Sequence, residues 1–295
     1  MIDIDTFLTQ SHEQIEKQLC ALLSSSSDLP CAPLFASARY SLLSPGKRLR
    51  PLLVLATCAS YGVAEEAALG PACALEMIHT YSLIHDDLPC MDDDALRRGK
   101  PTLHKVVPEW HALLTGDYLL TYAFEILADA PHLSARQKIA LVKTLSSRAG
   151  AGGMIGGQMI DLLYTGQAIN WDILEQMHSG KTASLMTAAL EFGGIIAQAP
   201  EEDMRALQST GLAMGTAFQL IDDLLDYTGT QEELGKEIGS DKAKSKATAI
   251  SLLGAAPTQE KATQLLHAAK EHLNTLSCPA PLLHALLDLT VNRRK

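Results

Sequence analysis

The sequence predicts an all-α protein, and three observations carry the prediction. Apolar residues recur with the 3.6-residue period of a helix along almost the whole chain, and no stretch alternates as a strand would. The chain is 47% hydrophobic but only 5% aromatic, with Leu and Ala abundant, a balance that favours helices over sheets. The interruptions carry turn chemistry.

The elements follow in chain order. The first periodic run, near 5–23, stops at SSSSDLPCAP, and runs near 34–44 and 49–61 are parted by SPGK. A long run near 64–88 meets Pro89, which has no N–H to continue a helix, and RRGKP follows. DAPHLS separates the runs near 109–129 and 134–165, and AQAPEED those near 171–197 and 201–228. Runs near 242–254, 258–276 and 280–292 complete the chain, the first two divided by GAAPTQ. No linker exceeds about a dozen residues, so a single domain over 1–295 is expected, a bundle of about ten helices.

One segment conflicts with helix chemistry. GAGGMIGGQMID places Gly150, Gly152, Gly153, Gly156 and Gly157 inside an apolar run. Each interior glycine costs about 1 kcal/mol relative to alanine. Either two helices approach closely there, or the missing side chains make room for a substrate beside Gln158 and Asp161.

Composition narrows the function. A formal charge of −10 argues against non-specific nucleic-acid binding. Cys20, Cys31, Cys58, Cys73, Cys90 and Cys278 show no CxxC spacing, which reads as reduced thiols in a cytoplasmic protein. The start, MIDIDTFLTQ, has no basic region, and no run reaches 18 apolar residues, so neither a signal peptide nor a membrane span is expected.

Two acidic clusters carry the chemistry. IHDDLPCMDDDALRRGKP holds Asp86, Asp87, Asp92, Asp93 and Asp94, followed by Arg97, Arg98 and Lys100. Like charges this close are costly unless something positive sits between them. With Asp86 ending a helix and Asp92 arriving from the turn after it, carboxylates can converge on a hard cation such as magnesium. FQLIDDLLDYTG repeats the theme, with Asp222 and Asp226 four apart on one helix face, Gln219 near them and Leu around them. His79 lies seven residues before Asp86, on the same helix face. Cations suited to phosphate oxygens stand in SPGKRLRP (Lys47, Arg48, Arg50), HSGKT (Lys181, beside Thr182) and LGKEIGSDKAKSK (Lys236, Lys242, Lys244, Lys246). GKTAS lacks the preceding glycine and strand of a P-loop.

These motifs, in this order from Gly46 to Leu253, resemble those of the short-chain trans-prenyl diphosphate synthases, most of all the bacterial farnesyl diphosphate synthases. The resemblance implies helices around a central cavity. It implies ionisation of an allylic diphosphate, attack by isopentenyl diphosphate and loss of a proton. It also implies a homodimer and Mg2+, three ions per active site, with Mn2+ able to substitute. Asp86, Asp87 and Asp92 would serve the metal at the first motif, and Asp222, Asp223 and Asp226 at the second. Arg97, Lys181, Thr182, Gln219 and Lys236 would hold the allylic diphosphate, with Lys181, Thr182 and Gln219 closest to the reaction. Gly46, Lys47, Arg50, His79 and Arg98 would hold isopentenyl diphosphate. Two departures stand out: KATAISL, with Ala249 and Ile250, replaces the family's usual KxTYPxL and leaves Lys246 without a clear role, and Ala183 follows HSGKT where glycine is common. A terpene cyclase or a non-catalytic synthase subunit is the lesser alternative, since a cyclase normally needs only one such aspartate motif and a subunit would be expected to lose one, whereas this chain has both motifs and the isopentenyl-site cations.

Product length should follow from the floor of the cavity, which the resemblance puts at Tyr81 and Ser82 and which implies a fifteen-carbon product. Helix geometry agrees in part. At about 100° per residue, Ser82 lies about 40° from Asp86 and Tyr81 about 140° away, so a twenty-carbon product, geranylgeranyl diphosphate, is the alternative.

Overall fold

The computed structural model describes residues 3–24, 29–228 and 246–291. Among these, fourteen α-helical segments and one π turn account for nearly all the regular structure. They are α1 (Ile4–Leu22), α2 (Ala32–Leu42), α3 (Leu49–Ser60), α4 (Glu65–Asp86), α5 (Leu103–Val106), α6 (Glu109–Asp129) and α7 (Ala135–Ala149). Then come α8 (Met154–Leu163), α9 (Trp171–His178), α10 (Ser184–Ile196) and α11 (Glu201–Thr228). The last are α12 (Ala249–Leu253), α13 (Ala255–Asn274) and α14 (Pro281–Val291). No helix among the described residues is long and apolar enough to cross a membrane.

The all-α expectation holds, with local corrections. Of the run expected near 242–254, residues 242–245 lie outside the described residues, 246–248 are not helical and the helix starts at Ala249. The run expected as one helix over 134–165 breaks at Gly150–Gly153 into α7 and α8, where the backbone cost of clustered glycines outweighs the apolar period. The run over 171–197 stays helical but widens into a π turn at Ser179–Ala183. RRGKP is more than a turn: Leu96–Arg97 (β1) pairs antiparallel with Lys100–Pro101 (β2). Arg98 (φ 53°) and Gly99 (φ 75°) close this hairpin, the two positive φ values of the turn that matches strand twist.

The chain divides into two compact units, Met1–Leu55 with Ala64–Val142, and Ala56–Val63 with Lys143–Lys295. In the first, α4 is the central helix, buried without interruption from Pro71 to Ile78. It packs on α6, where Gly116 lies so close to the His85 ring that a side chain could not fit. In the second, α10 is buried on nearly every face and packs on α11. Gly211 and Gly215 let α11 approach the backbone of Thr187 and Ala183.

The three cations of SPGKRLRP have different fates. Arg48, with φ of 48°, is 3% exposed. It donates to Glu16 (2.6 Å), to the buried Glu76 (2.9 Å) and to the carbonyls of Leu42 and Ser44. Lys47 beside it is exposed and Arg50 half-buried. Arg48 is thus a structural cation. Removing one partner of a buried ion pair strands the other and costs about 3–5 kcal/mol. Arg48→Met should therefore lower unfolding stability by about that amount in urea denaturation. A loss under about 1 kcal/mol would show that the network carries no stability.

Candidate active site

The first unit carries the first aspartate motif. Helix α4 ends at Asp86 and is capped by Asp87, ahead of Pro89 as proline chemistry requires. The chain then turns back on itself: the Asp92 amide donates to the Asp86 carbonyl (2.9 Å), and the Asp93 amide to that of Leu88 (3.1 Å). Asp92 therefore starts from backbone already tied to Asp86. Asp87 is 4% exposed, and both its oxygens are engaged by Arg97, at 2.6 to 3.0 Å. Burial pushes the Asp87 carboxyl up to about 6, against the pull of the Arg97 guanidinium. Asp94 lies 3.6 Å from the same guanidinium. The β1–β2 hairpin presents Arg97 to these acids.

The residues expected to hold isopentenyl diphosphate lie in the same unit. Arg98 donates to the Pro45 carbonyl (3.0 Å), and its guanidinium lies over Gly46, where any side chain would collide with it. Gly46 does permit a close approach, and the group that approaches is Arg98. The Gly46 carbonyl also meets His12 Nε2 at 3.2 Å. Burial drives His79 well below the usual imidazole range, and the charges of Arg50 and Arg98 push the same way, so the ring is neutral. Tyr81 is buried against His85 with ring centroids 5.6 Å apart, and its hydroxyl has no hydrogen-bond partner. Ser82 donates to the His79 carbonyl (2.8 Å).

The second unit carries the second motif. Gly157 of α8 sits against the backbone of Gly180 and Lys181 in the π turn. No side chain would fit between them, so Gly157 serves close approach. That approach brings Asp161 to Lys181, with Nζ 2.6 Å from Oδ2. Lys246 reaches the same oxygen at 3.3 Å, so the residue that KATAISL left without a role joins the cluster. Burial opposes ionisation of Asp161, but the two ammonium groups outweigh it and hold its pKa below the ordinary value.

Thr182 donates to Gln219 Oε1 (2.8 Å), and Gln219 Nε2 donates to Asp223 Oδ1 (3.1 Å). Gln219 thus pairs one turn down the helix with Asp223, although the spacing pointed to Asp222. The other Asp223 oxygen accepts the Ala249 amide (2.7 Å) at the start of α12. Asp222 is half-buried and Asp226 buried on the same helix. Asp161, His178, Lys181, Thr182, Gln219 and Asp223 line one cleft. His178, absent from the expected set, is buried there with Nδ1 unpartnered and Nε2 3.9 Å from Asp223. Its signal in the sequence was only its place in HSGKT. Lys236 lies outside the described residues.

The donors suit a hard divalent cation, since the candidate ligands are carboxylate oxygens. Among the described residues no three acidic, imidazole or thiol side chains already enclose an ion site.

The model for the polyprenyl synthetase family matches residues 32–277. The farnesyl diphosphate synthase of Bacillus subtilis is 43% identical over 292 residues, 98% of each chain. An FPP/GFPP synthase from Zymomonas mobilis superposes with a TM-score of 0.87 at 36% identity, covering 98% of both chains. A Helicobacter pylori geranyltransferase, solved with magnesium and isoprenyl diphosphate, gives a TM-score of 0.83 at 36% identity, over 97% of this chain and 96% of that one.

The cleft makes stability depend on pH. Burial lowers His178 to about 4, with Asp161 opposing and Lys181 assisting. The unfolded imidazole takes up its proton near 6.5, whereas the folded one resists until about 4, so stability falls as pH drops through that window. His178→Gln should flatten the fall by about 1–3 kcal/mol between about pH 7 and about pH 4 in denaturant titrations. Equal slopes in the two proteins would mean that His178 charges freely in the fold.

Proposed function

We propose that this chain, which belongs to the polyprenyl synthetase family, joins isopentenyl diphosphate head-to-tail to dimethylallyl and then geranyl diphosphate, giving farnesyl diphosphate. The observation that carries this reading is the pairing of carboxylates with phosphate-suited cations beside each aspartate motif: Asp87 and Asp94 with Arg97 in one unit, and Asp161 with Lys181 and Lys246 in the other. It is supported by the 43% identity to a farnesyl diphosphate synthase across the whole chain. The domain is taken as one, since the family match runs through residues of both units.

Asp86, Asp92 and Asp222 would hold Mg2+, three ions per active site, with Asp226 nearby. When bound, Mg2+ supplies the positive charge that neutralises the departing diphosphate. Lys181, Lys246 and Arg97 would hold the allylic diphosphate so that its C–O bond can break as charge moves to the phosphate. Asp161 orients both lysines before substrate arrives. Thr182 and Gln219 form a polar edge suited to the cation that remains. Lys47, Arg50, Arg98 and the neutral His79 would hold isopentenyl diphosphate, whose double bond attacks that cation. The released pyrophosphate then takes the proton. Exclusion of water would keep the cation from being trapped.

Tyr81, buried on α4, would form the floor of the product chamber beside Ser82. The exposed face of α6 formed by Trp110, Leu113 and Leu114 would be covered by a second copy in a homodimer. The six free thiols fit the reducing cytoplasm.

Purified protein given Mg2+, isopentenyl diphosphate and either primer should release a C15 product on sizing by chromatography. No product from folded protein with either primer would end this reading. Tyr81→Ala should shift the product to C20 or longer, and an unchanged chromatogram would exclude Tyr81 as the floor. Leu113→Glu with Leu114→Glu should halve the mass seen by sedimentation; a dimer that survives both would place the interface elsewhere.

A further inference from the structure

Asp92 can serve the same ion as Asp86 only if the loop between them keeps one shape. One side of that loop is fixed by the Asp92 amide on the Asp86 carbonyl. The far side is fixed by a buried threonine. Thr102, 3% exposed, donates its hydroxyl to the Asp94 carbonyl (2.6 Å) and its amide to the Ala95 carbonyl (3.0 Å). A hydroxyl has one proton. With that proton on Asp94, the 3.3 Å contact between Thr102 Oγ1 and His104 Nδ1 requires the imidazole to donate.

His104 Nε2 is then the bare nitrogen. It is buried without a hydrogen-bond partner, 3.7 Å from Asp93 Oδ1, and Lys105 Nζ reaches that same oxygen at 3.3 Å. Burial lowers the His104 pKa, the Lys105 charge adds to this, and a neutral ring with its proton on Nδ1 results. Asp93 meanwhile holds a φ of 48°, a left-handed value uncommon outside glycine. Such backbone persists where its surroundings over-determine it. The contacts that Thr102, His104 and Lys105 make with the loop all fall on residues 93–95, immediately after Asp92.

We infer that Thr102 and His104 are positioning residues for Asp92, a clasp that holds 93–95 and so delivers the Asp92 carboxylate to the ion shared with Asp86. The inference rests on the metal role proposed above for Asp86 and Asp92. Its test does not need turnover. Binding of inorganic pyrophosphate would be followed by calorimetry as Mg2+ is varied, with thermal unfolding as the check on folding.

Supports of metal ligands typically change metal affinity by about 10–100-fold when removed. Thr102→Val keeps the shape and deletes the hydroxyl, so it should raise the Mg2+ needed for half-maximal binding by about tenfold or more. Thr102→Ser should stay near wild type. His104→Asn, which keeps a donor near Nδ1, should be milder than His104→Gln. The inference is overturned if Thr102→Val keeps the wild-type Mg2+ dependence, or if the serine variant is as impaired as the valine one. Should Thr102→Val fail to fold, His104→Gln against His104→Asn decides between the same outcomes. Wild-type protein that binds pyrophosphate without Mg2+ dependence would overturn the metal reading itself, and the clasp with it.

Discussion

Carboxylates held within a few ångströms of one another must find cations or give up their charge, and both units are arranged around that constraint. In the first, Asp87 is buried against the fork of Arg97, Asp94 shares that fork, and Asp93 meets Lys105. In the second, Asp161 takes two ammonium groups, and the buried Glu191 takes both Arg148 and Gln208. Asp93 and Lys105 form an ordinary surface pair, which contributes little. Asp87, Asp161 and Glu191 are buried, so each of them fixes the position of a long, otherwise mobile side chain. Arg97, Lys181 and Lys246 are thereby held by the chain's own carboxylates.

Glycine is the second device, and it works through absence. At Gly46, Gly116 and Gly157 a missing side chain lets another group occupy its place: the Arg98 guanidinium, the His85 ring and the backbone of the π turn. At Gly157 the neighbour is backbone, so the conformational cost of glycine there is offset by a contact that no other residue would permit. The Gly157 contact is the one that sets Asp161 opposite Lys181.

Much of this was legible in the sequence, and the rest was hidden for identifiable reasons. Helix periodicity located most elements, because long amphipathic runs leave a strong signal. Asp86 at the end of α4 followed from Pro89. The hairpin at Leu96–Pro101 escaped because two-residue strands leave no alternation to read. Arg48 could not be told from Lys47 and Arg50, since the glutamates that bury it lie 32 and 28 residues away in the chain. The pairing of Asp87 with Arg97 was not legible, because it depends on the hairpin. His178 and Lys246 went unassigned for the same kind of reason: what makes them notable is burial and proximity, which only the fold supplies.

The π turn at Ser179–Ala183 has a consequence of a different kind. A π turn takes one residue more than an α turn to advance the same helix. The continuous helical run from Trp171 to Ile196 therefore contains an accommodated insertion, absorbed by widening a turn instead of lengthening a loop. Each residue on a helix is rotated about 100° from the last. With the extra residue the flanking helices stay in register with their own packing while Lys181 and Thr182 bulge toward Asp161 and Gln219. What aims those two side chains is thus a count of residues as much as their chemistry.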